Sequence, residues 1–240
     1  MSKDVRHVIG LSGGKDSTAL ALWLAENEPR DYTYLFTPTG HELPEMDAWL
    51  LFLESLLGKP ITRVTHKNRT LDDLIQIHNR VPNNRERWCT RQLKIEPTIA
   101  WCVRNSPVIL YVGLRADEKE REGIYGNLVQ SDFPFRRIGW SIDDVWGYLK
   151  QRGVAHMVPI RTDCYDCYDQ QIREWWALWK YQPDLFEKAC QDEDRTGGTH
   201  RSPSRDTWPA NLRLMAVEFA RGRKIRGGTE PKRKCRVCSL

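Results

Sequence analysis

A glycine-rich segment with polar side chains follows an apolar stretch over 5–11 and precedes a helical pattern that begins near residue 17. Two adjacent glycines allow a tight turn whose backbone N–H groups approach an anion, and the helix that follows presents its positive N-terminus to the same point. Ile9 stands where a Walker A loop has its first glycine, so that motif is excluded. The segment predicts a phosphate-binding loop. Its residues are Ser12, Gly13, Gly14, Lys15, Asp16, Ser17 and Thr18.

Three cysteines have a spacing that suits metal ligands. Cys164 and Cys167 form a Cys-x-x-Cys turn, which brings two thiolates onto one ion or cluster, and Cys89 is a distant third thiol that could converge on it. Cys102 lies on an apolar helix face, where a buried inert cysteine is the better interpretation. In a reducing compartment the seven cysteines favour metal-binding, catalytic or buried roles over disulfides.

Length and composition favour one globular domain, or one domain with an appendage. The chain has 240 residues, of which 40% are hydrophobic and ten are tryptophan, enough to build a core. Its apolar runs are too short to cross a bilayer, and the N-terminus has no long apolar segment typical of a secretory signal. We therefore expect a cytoplasmic protein without a membrane partner.

Strand-like and helix-like patterns alternate through the first two thirds of the chain, which predicts an α/β fold with a parallel sheet flanked by helices. From residue 163 the pattern becomes helical and rich in aromatic residues, so we predict an α/β domain over 1–162 and a helical, cysteine-bearing extension over 163–240. The predicted strands cover 5–11, 32–37, 61–65, 107–113 and 135–140. The predicted helices cover 17–26, 44–57, 71–78, 92–104, 141–152, 169–192 and 206–221.

The spelling Ser-Gly-Gly-Lys-Asp-Ser of the loop resembles the PP-loop ATP pyrophosphatases, the adenine nucleotide α-hydrolase superfamily, in which this signature grips the pyrophosphate of ATP. Four further segments narrow the resemblance to the phosphoadenosine-phosphosulfate-reductase-like family. The resemblance implies a Rossmann-like adenine nucleotide α-hydrolase fold and ATP with Mg²⁺ as cofactors. The four segments are 37–45, 87–94, 113–121 and 163–167.

Two of these segments bear on the nucleotide. Residues 37–45 resemble the family's Asp-Thr-Gly-x-Glu-x-Pro-Glu element beside the adenosine, which implies nucleotide contacts for Thr37, Thr39 and Gly40. A capped strand-to-helix loop is an equally good interpretation of that stretch alone. Residues 113–121 resemble the family's Gly-Ile/Leu-Arg-x-x-Glu-Ser-x-Arg segment, so that Arg115 and Arg121 would reach nucleotide phosphates as bidentate donors.

The other two segments bear on the cysteines. Residues 87–94 resemble the family's Cys/Trp-Cys-x-x-x-x-Lys element and residues 163–167 its Gly-Cys-x-x-Cys element, and members with four such cysteines carry a [4Fe-4S] cluster. The resemblance implies such a cluster on Cys89, Cys164 and Cys167, with Zn²⁺ as the alternative metal. Trp88 replaces one cysteine of the reductases. The fourth ligand is left open among Cys190, Cys235, Cys238 and none.

The intact loop favours an ATP-cleaving enzyme over a reductase. Reductases of the family act on an already activated sulfonucleotide, and they end in a catalytic cysteine motif that the C-terminus of this chain does not match. We expect the chain to adenylate an acceptor with pyrophosphate release and to assist sulfur insertion, as in DNA phosphorothioation or RNA thiolation, with the closest resemblance to the PP-loop component of phosphorothioation systems. Lys15, Asp16, Arg115 and Arg121 would be catalytic, Asp16 by helping to bind Mg²⁺ and the three cations by offsetting charge at the α-phosphorus.

Three alternatives stay open at this point: a phosphoadenosine phosphosulfate reductase, a sulfate-adenylating enzyme and a nucleotide-sensing scaffold subunit. The acceptor prediction depends on a basic run from Arg221 to Arg236, which holds eight Lys or Arg and one acid, Glu230. Such a run suits a nucleic-acid acceptor, although a solvated tail is nearly as good an interpretation. Further expected partners are a cysteine desulfurase or another sulfur donor, and a homo-oligomer is left open.

Overall fold

A parallel sheet forms the centre of the chain in the computed structural model, which describes residues 4–119 and 128–227. In these residues the sheet has five strands in the order β3-β2-β1-β4-β5, and every neighbouring pair is parallel. The central strand is β1, whose His7 is in register with Tyr32 of β2 and Ile109 of β4. The strands are β1 Arg6–Gly10, β2 Tyr32–Phe36, β3 Ile61–Arg63, β4 Val108–Tyr111 and β5 Gln130–Asp132.

Helices cover both faces of this sheet. Successive residues of a strand point to opposite faces, and in β1 both Val8 and Ile9 are fully buried, each in a different apolar cluster. The fold class predicted from the sequence is confirmed. The helices are α1 Lys15–Asn27, α2 Glu45–Leu57, α3 Leu71–His78, α4 Trp88–Thr90, α5 Glu96–Arg104, α6 Pro134–Arg137, α7 Ile142–Gln151, α8 Ile172–Tyr181, α9 Pro183–Thr196 and α10 Leu212–Ala220, with a π-helical turn at Arg91–Ile95.

The strand predicted at 135–140 is wrong. The last strand of the sheet is β5, and the predicted segment instead begins with the short helix α6. Pro134 starts that helix, because its fixed φ suits a first helical turn and it has no N–H to donate to a neighbouring strand. Phe135 then packs into the core with no exposed surface.

The C-terminal helices differ in their bounds from the prediction. The single helix expected over 169–192 is two helices, because Pro183 begins α9 directly after α8 ends. The helix expected from residue 206 begins only at Leu212, where the side chain of Asn211 accepts a hydrogen bond from the Leu214 N–H and caps it.

An apolar cluster of their own holds α8, α9 and α10 together. Its members include Met215 and the fully buried Trp175, whose ring lies edge-on to that of Phe186 with 6.4 Å between centroids. The domain boundary predicted at 162/163 stays a prediction. Within the described ranges, no helix combines the length and the apolar character that crossing a membrane would require.

Candidate functional site

The predicted phosphate loop lies where the order of the strands reverses. Chain order runs outward from β1 through β2 to β3 on one side, and β4 and β5 follow on the other side. Ligands of open α/β sheets bind in the crevice at the carboxyl ends of the strands beside such a reversal. The loop leaves β1 there and enters α1, and Gly113 to Arg115 leave β4 at the same edge.

Hydrogen bonds within the loop fix its shape. Ser12 Oγ lies 3.1 Å from Ser17 Oγ, and Ser17 Oγ donates to the Gly14 carbonyl at 3.2 Å. Gly13 has a φ of +76°, which favours glycine, and its carbonyl accepts a 2.7 Å hydrogen bond from Trp49 Nε1 of α2. A tight turn is thus held from inside the loop and from α2.

A buried cluster of charges lies at the start of α1. Asp16 accepts hydrogen bonds from Lys15 Nζ and from Arg115 Nη1, each at 2.8 Å, and the three side chains are at most 10% exposed. The two carboxylate oxygens of Asp16 are each paired with a different cation. Each oxygen keeps a further lone pair to offer to Mg²⁺, and the carboxylate positions Lys15 and Arg115 in the arrangement observed.

Gly113 brings the end of β4 against the loop. A Cβ atom at this position would lie 3.1 Å from the backbone carbon and oxygen of Asp16. That separation is tighter than nine in ten real Cβ contacts, and the opposing atoms are backbone. Glycine here allows Arg115, two residues later, to reach the start of α1.

The loop after β2 is closed by the carboxylate of Glu42. Its Oε1 accepts hydrogen bonds from the N–H of Thr39 at 2.7 Å and from Thr39 Oγ1 at 2.6 Å, and its Oε2 accepts one from the N–H of Gly40 at 3.0 Å. Gly40 has a φ of +83°. Thr37 and Thr39, both predicted to contact nucleotide, are buried at this edge of the sheet.

Thr39 also touches the cysteine site. Its Oγ1 lies 3.2 Å from the Sγ of Cys164, although 125 residues separate the two in the sequence. The segment predicted to contact the nucleotide and the segment predicted to bind a metal are therefore neighbours.

A buried histidine ties the same two segments together. His41 Nδ1 lies 2.9 Å from Asp166 Oδ2, and its Nε2 lies 3.1 Å from Asp72 Oδ1. The ring of His41 stacks on Tyr165 with 4.7 Å between centroids. Burial alone would lower the pKa of His41, but Asp166 and Asp72 outweigh burial and raise it to about 10. His41 is therefore a cation at neutral pH and binds the Cys-x-x-Cys turn electrostatically.

Lys94 interacts electrostatically with all three cysteines that were predicted to be metal ligands. The charges of Cys164, Cys167 and Cys89 each raise the pKa of that lysine, against the effect of burial, which lowers it. Burial raises the pKa of all three thiols, that of Cys167 to about 12, whereas Lys94 acts in the opposite sense on each. Metal binding at these thiols would require the release of their protons.

A metal-binding geometry is not formed by these side chains. In the chain as described, no group of three or more His, Cys, Asp or Glu residues is arranged to hold a metal ion. The three thiols have the donor chemistry of an iron–sulfur or zinc site. Cys190 is buried in the apolar cluster of the C-terminal helices, whereas Cys89 and Cys164 pack against the cluster around Leu74. Cys235 and Cys238 lie outside the described residues.

The structure brings most of the predicted nucleotide residues to one edge of the sheet, namely the loop after β1, Thr37, Thr39, Gly40 and Arg115. Arg121 and most of the basic run lie outside the described residues. At the start of that run, Arg223 pairs with Glu218 at 3.0 Å and stacks on Trp208, so it is already engaged.

Sequence reasoning did not assign roles to Gly113, His41 and Lys94, and it considered Glu42 only as a cap of the strand-to-helix loop. All four lie within the segments that carry the family resemblance, which was the available signal. Their roles depend on partners between 2 and 125 residues away, and spacing alone does not reveal such contacts.

The region of the chain that forms this site matches a known protein family. The family model of the phosphoadenosine phosphosulfate reductase domain matches residues 6–166. None of the curated proteins compared matches the sequence. Among solved structures, phosphoadenylyl-sulfate (PAPS) reductase from Candida auris, in a phosphate complex, is similar with a TM-score of 0.50 at 12% identity, over 66% of this chain and 75% of that chain. At this identity the similarity shows the fold alone.

Two further structures are similar at TM-scores too low to support an argument. One is the U34-tRNA thiolase NcsA from Methanococcus maripaludis with its [4Fe-4S] cluster, with a TM-score of 0.49 and 15% identity over 92% of this chain and 73% of that chain. The other is the NH3-dependent NAD synthetase from Campylobacter jejuni in complex with the nitrate ion, with a TM-score of 0.45 and 15% identity over 82% of this chain and 86% of that chain.

The family match covers more than half of the chain. It includes the loop after β1, Arg115 and the segment around Cys89, and it ends at Asp166, within the Cys-x-x-Cys turn. The chain belongs to the phosphoadenosine phosphosulfate reductase domain family.

Proposed function

We propose that this chain is an ATP-dependent PP-loop enzyme that adenylates an acceptor, releases pyrophosphate and assists the insertion of sulfur into that acceptor, a nucleic acid. The observation that carries the proposal is the 3.2 Å contact between Thr39 Oγ1 and Cys164 Sγ. It supports a site in which activation by ATP and delivery of sulfur take place side by side.

The loop supplies the groups that ATP cleavage needs. Its backbone N–H groups, its hydroxyls and the N-terminus of α1 bind the β- and γ-phosphates. Lys15 and Arg115, held by the carboxylate of Asp16, lie where they would offset the charge that develops at the α-phosphorus. Asp16, whose oxygens keep further lone pairs, would help to bind the Mg²⁺ that accompanies ATP.

The proposed reaction has two steps. An acceptor oxygen attacks the α-phosphorus, so that a new P–O bond forms while the bond to the β-phosphate breaks and pyrophosphate leaves. Sulfur at the oxidation level of sulfide then attacks the activated centre of the acceptor, and AMP leaves with the acceptor oxygen. The second step needs a sulfide-level donor, for example one supplied by a cysteine desulfurase together with a reductant.

Cys89, Cys164 and Cys167 are the proposed ligands of an iron–sulfur cluster, with zinc as the alternative metal. A bound cluster would supply a sulfur-holding or electron-transfer centre. Lys94 supports this assignment, because its ammonium favours the thiolate form of the three cysteines. His41 keeps the Cys-x-x-Cys turn against the nucleotide edge through Asp166.

Reduction of an activated sulfonucleotide is the second candidate function. The family match favours it, since the matching model describes the phosphoadenosine phosphosulfate reductase domain. Such a reaction consumes no ATP and releases no pyrophosphate.

Substrate trials separate the two candidates. The protein, purified without oxygen, is incubated with [α-³²P]ATP, Mg²⁺, a cysteine desulfurase, cysteine, a dithiol reductant and either DNA, RNA or sulfate, and separately with phosphoadenylyl sulfate and the same reductant. Sulfur in DNA or RNA that requires ATP supports the proposal. Sulfite released from phosphoadenylyl sulfate without ATP would establish the reductase instead, and adenylyl sulfate formed from sulfate would establish a sulfate-adenylating enzyme.

A further inference from the structure

A cavity of about 510 Å³ opens beside the cysteine site. It is formed by the end of α3, the segment that follows, and the start of α4 with the first residue of the π-helical turn. Its lining residues are His78, Arg80, Glu86, Arg87, Trp88 and Arg91.

Positive charge dominates this cavity. Three arginines face one carboxylate, Glu86, and both oxygens of that carboxylate accept from Arg80 Nη1, at 2.8 and 2.9 Å. Arg91 Nε also lies 3.5 Å from Oε1 of Glu96, which is not among the lining residues. Arg87 and Arg91 stand one helical turn apart, joined by a 3.3 Å hydrogen bond from the Arg91 N–H to the Arg87 carbonyl. Like charges at this spacing repel each other. A bound anion would remove that repulsion.

An aromatic wall completes the cavity. The rings of Trp88 and His78 lie 4.6 Å apart between centroids, and Trp88 is half-buried. The indole N–H of Trp88 is buried, and among residues 4–119 and 128–227 it has no hydrogen-bond partner. Arginines beside an aromatic surface suit a chain of phosphates and bases, because guanidinium groups bind phosphate and bases stack on aromatic rings.

The position of the cavity connects it to the cysteines. Trp88 is the neighbour of Cys89 in the chain, and the Arg87 guanidinium lies 6.0 Å from the centre of the Tyr168 ring, which follows Cys167. The irregular π-helical turn begins at Arg91, and such turns are frequent at functional sites. A ligand in the cavity would therefore lie next to the proposed sulfur centre.

We propose that this cavity binds a single-stranded segment of the nucleic-acid acceptor, with a phosphodiester on Arg87 and Arg91 and a base against Trp88. The inference rests on the proposed function and deepens it, because it assigns the acceptor to a surface that the basic run from Arg221 to Arg236 does not include. Arg80, neutralised by Glu86, shapes the cavity wall.

The test measures binding of a fluorescein-labelled single-stranded oligonucleotide of about 12 nucleotides, as DNA and as RNA, to the full chain by anisotropy. The variant Arg87→Glu with Arg91→Glu removes the phosphate contacts. The matched control, Arg30→Glu with Arg104→Glu, makes the same change of charge at two exposed arginines outside the cavity. Trp88→Ala removes the stacking surface.

We expect the Arg87/Arg91 variant to bind at least about tenfold more weakly, and the slope of log K against log salt to become shallower by about 1.4 for two lost phosphate contacts. Trp88→Ala should weaken binding by about 5- to 150-fold. The Arg30/Arg104 control should stay within about twofold of the wild type. ATP affinity, measured in every variant at the separate loop, reports whether the protein is folded. Should the charge reversal fail that check, Arg87→Gln with Arg91→Gln replaces it.

Oligonucleotide affinity equal in the wild type and in the Arg87/Arg91 variant would overturn the inference. So would an equal loss in the control, or equal competition by a poly-glutamate peptide of the same length, which would identify a general anion or peptide site. These outcomes leave the proposed function standing if ATP-dependent sulfur insertion is observed. Conversely, oligonucleotide binding at the cavity without any cleavage of ATP would overturn the proposed function but not the inference that the cavity binds nucleic acid.

Discussion

Arg115 Nη1 donates a hydrogen bond of 2.8 Å to Asp16 Oδ1, and the two residues are 99 positions apart in the sequence. Asp16 lies in the first turn of α1 and Arg115 in the segment after β4. This ion pair therefore joins the two sides of the crevice where the strand order reverses. Lys15 shares the same carboxylate. The two cations assigned to the α-phosphate are thus oriented by one anion before ATP arrives.

Replacing Arg115 by methionine should lower the free energy of unfolding by about 3 kcal/mol, because it leaves the carboxylate of Asp16 buried with one partner instead of two. Urea unfolding measures the loss. The triple variant Lys15→Met with Asp16→Asn and Arg115→Met should recover part of it, since none of the three buried side chains then carries a charge. A loss below about 1 kcal/mol for Arg115→Met would show that the pair does not stabilise the crevice.

Gly113→Ala should weaken ATP binding about tenfold or more, because the added Cβ would lie 3.1 Å from the backbone of Asp16 and displace the loop. Calorimetric titration with ATP and Mg²⁺ measures the effect. Gly147→Ala in α7 is the matched control, since a Cβ at that glycine meets nothing within 4 Å. The control should keep its ATP affinity and gain about 0.5–1 kcal/mol of stability. Unchanged ATP affinity in Gly113→Ala would contradict the close approach.

The stabilising effect of His41 should disappear at alkaline pH. Its pKa is raised to about 10 in the folded chain by Asp166 and Asp72 in spite of burial, against about 6.5 in an unfolded chain. The folded state therefore binds the proton more tightly. The stabilisation is complete below about pH 6.5 and is lost as the pH rises towards about 10.

Urea unfolding of the wild type and of His41→Gln between pH 6 and 10 tests whether the stabilisation by His41 falls as the pH rises. The difference in unfolding free energy between the two proteins should shrink by at least about 1 kcal/mol across that range. A difference for His41→Gln that grows with pH would contradict the ion pairs with the two aspartates.

Replacing Cys89, Cys164 or Cys167 by serine should in each case remove the broad visible absorption at about 400 nm. We expect that absorption from an iron–sulfur cluster in protein purified without oxygen. Cys190→Ala is the control and should keep the absorption, because Cys190 is buried among the C-terminal helices. Iron and sulfide analysis accompanies the spectra. Stoichiometric zinc without iron would decide for the alternative metal.

The architecture could be predicted from the sequence because its signals are local. The alternation of apolar stretches with helical patterns located β1 to β4, and the helix predicted over 141–152 corresponds to α7, which Ser141 and Asp144 cap. The error at 135–140 had a local cause, since Phe135, Ile138 and Trp140 form an apolar pattern that suits a strand, whereas Pro134 begins a helix.

The site was less predictable, because its geometry depends on distant contacts. The loop after β1 has a distinctive spelling, which makes it a candidate phosphate loop from the sequence alone. The pairing of Asp16 with Arg115, the clearance at Gly113 and the salt bridge of His41 with Asp166 all join segments far apart in the chain. Residue types suggest candidates for such contacts, but only the folded chain decides which of them meet.

Identifying which phosphoanhydride bond of ATP is cleaved tests the central claim most directly. The full chain is incubated with [α-³²P]ATP, Mg²⁺ and the oligonucleotide acceptor, and the labelled products are separated while pyrophosphate and orthophosphate are assayed. We predict labelled AMP or adenylated acceptor together with an equal amount of pyrophosphate, and a loss of at least about tenfold in Ser17→Ala, which removes one loop hydroxyl. Labelled ADP with orthophosphate, or no ATP cleavage with any acceptor, would contradict the account.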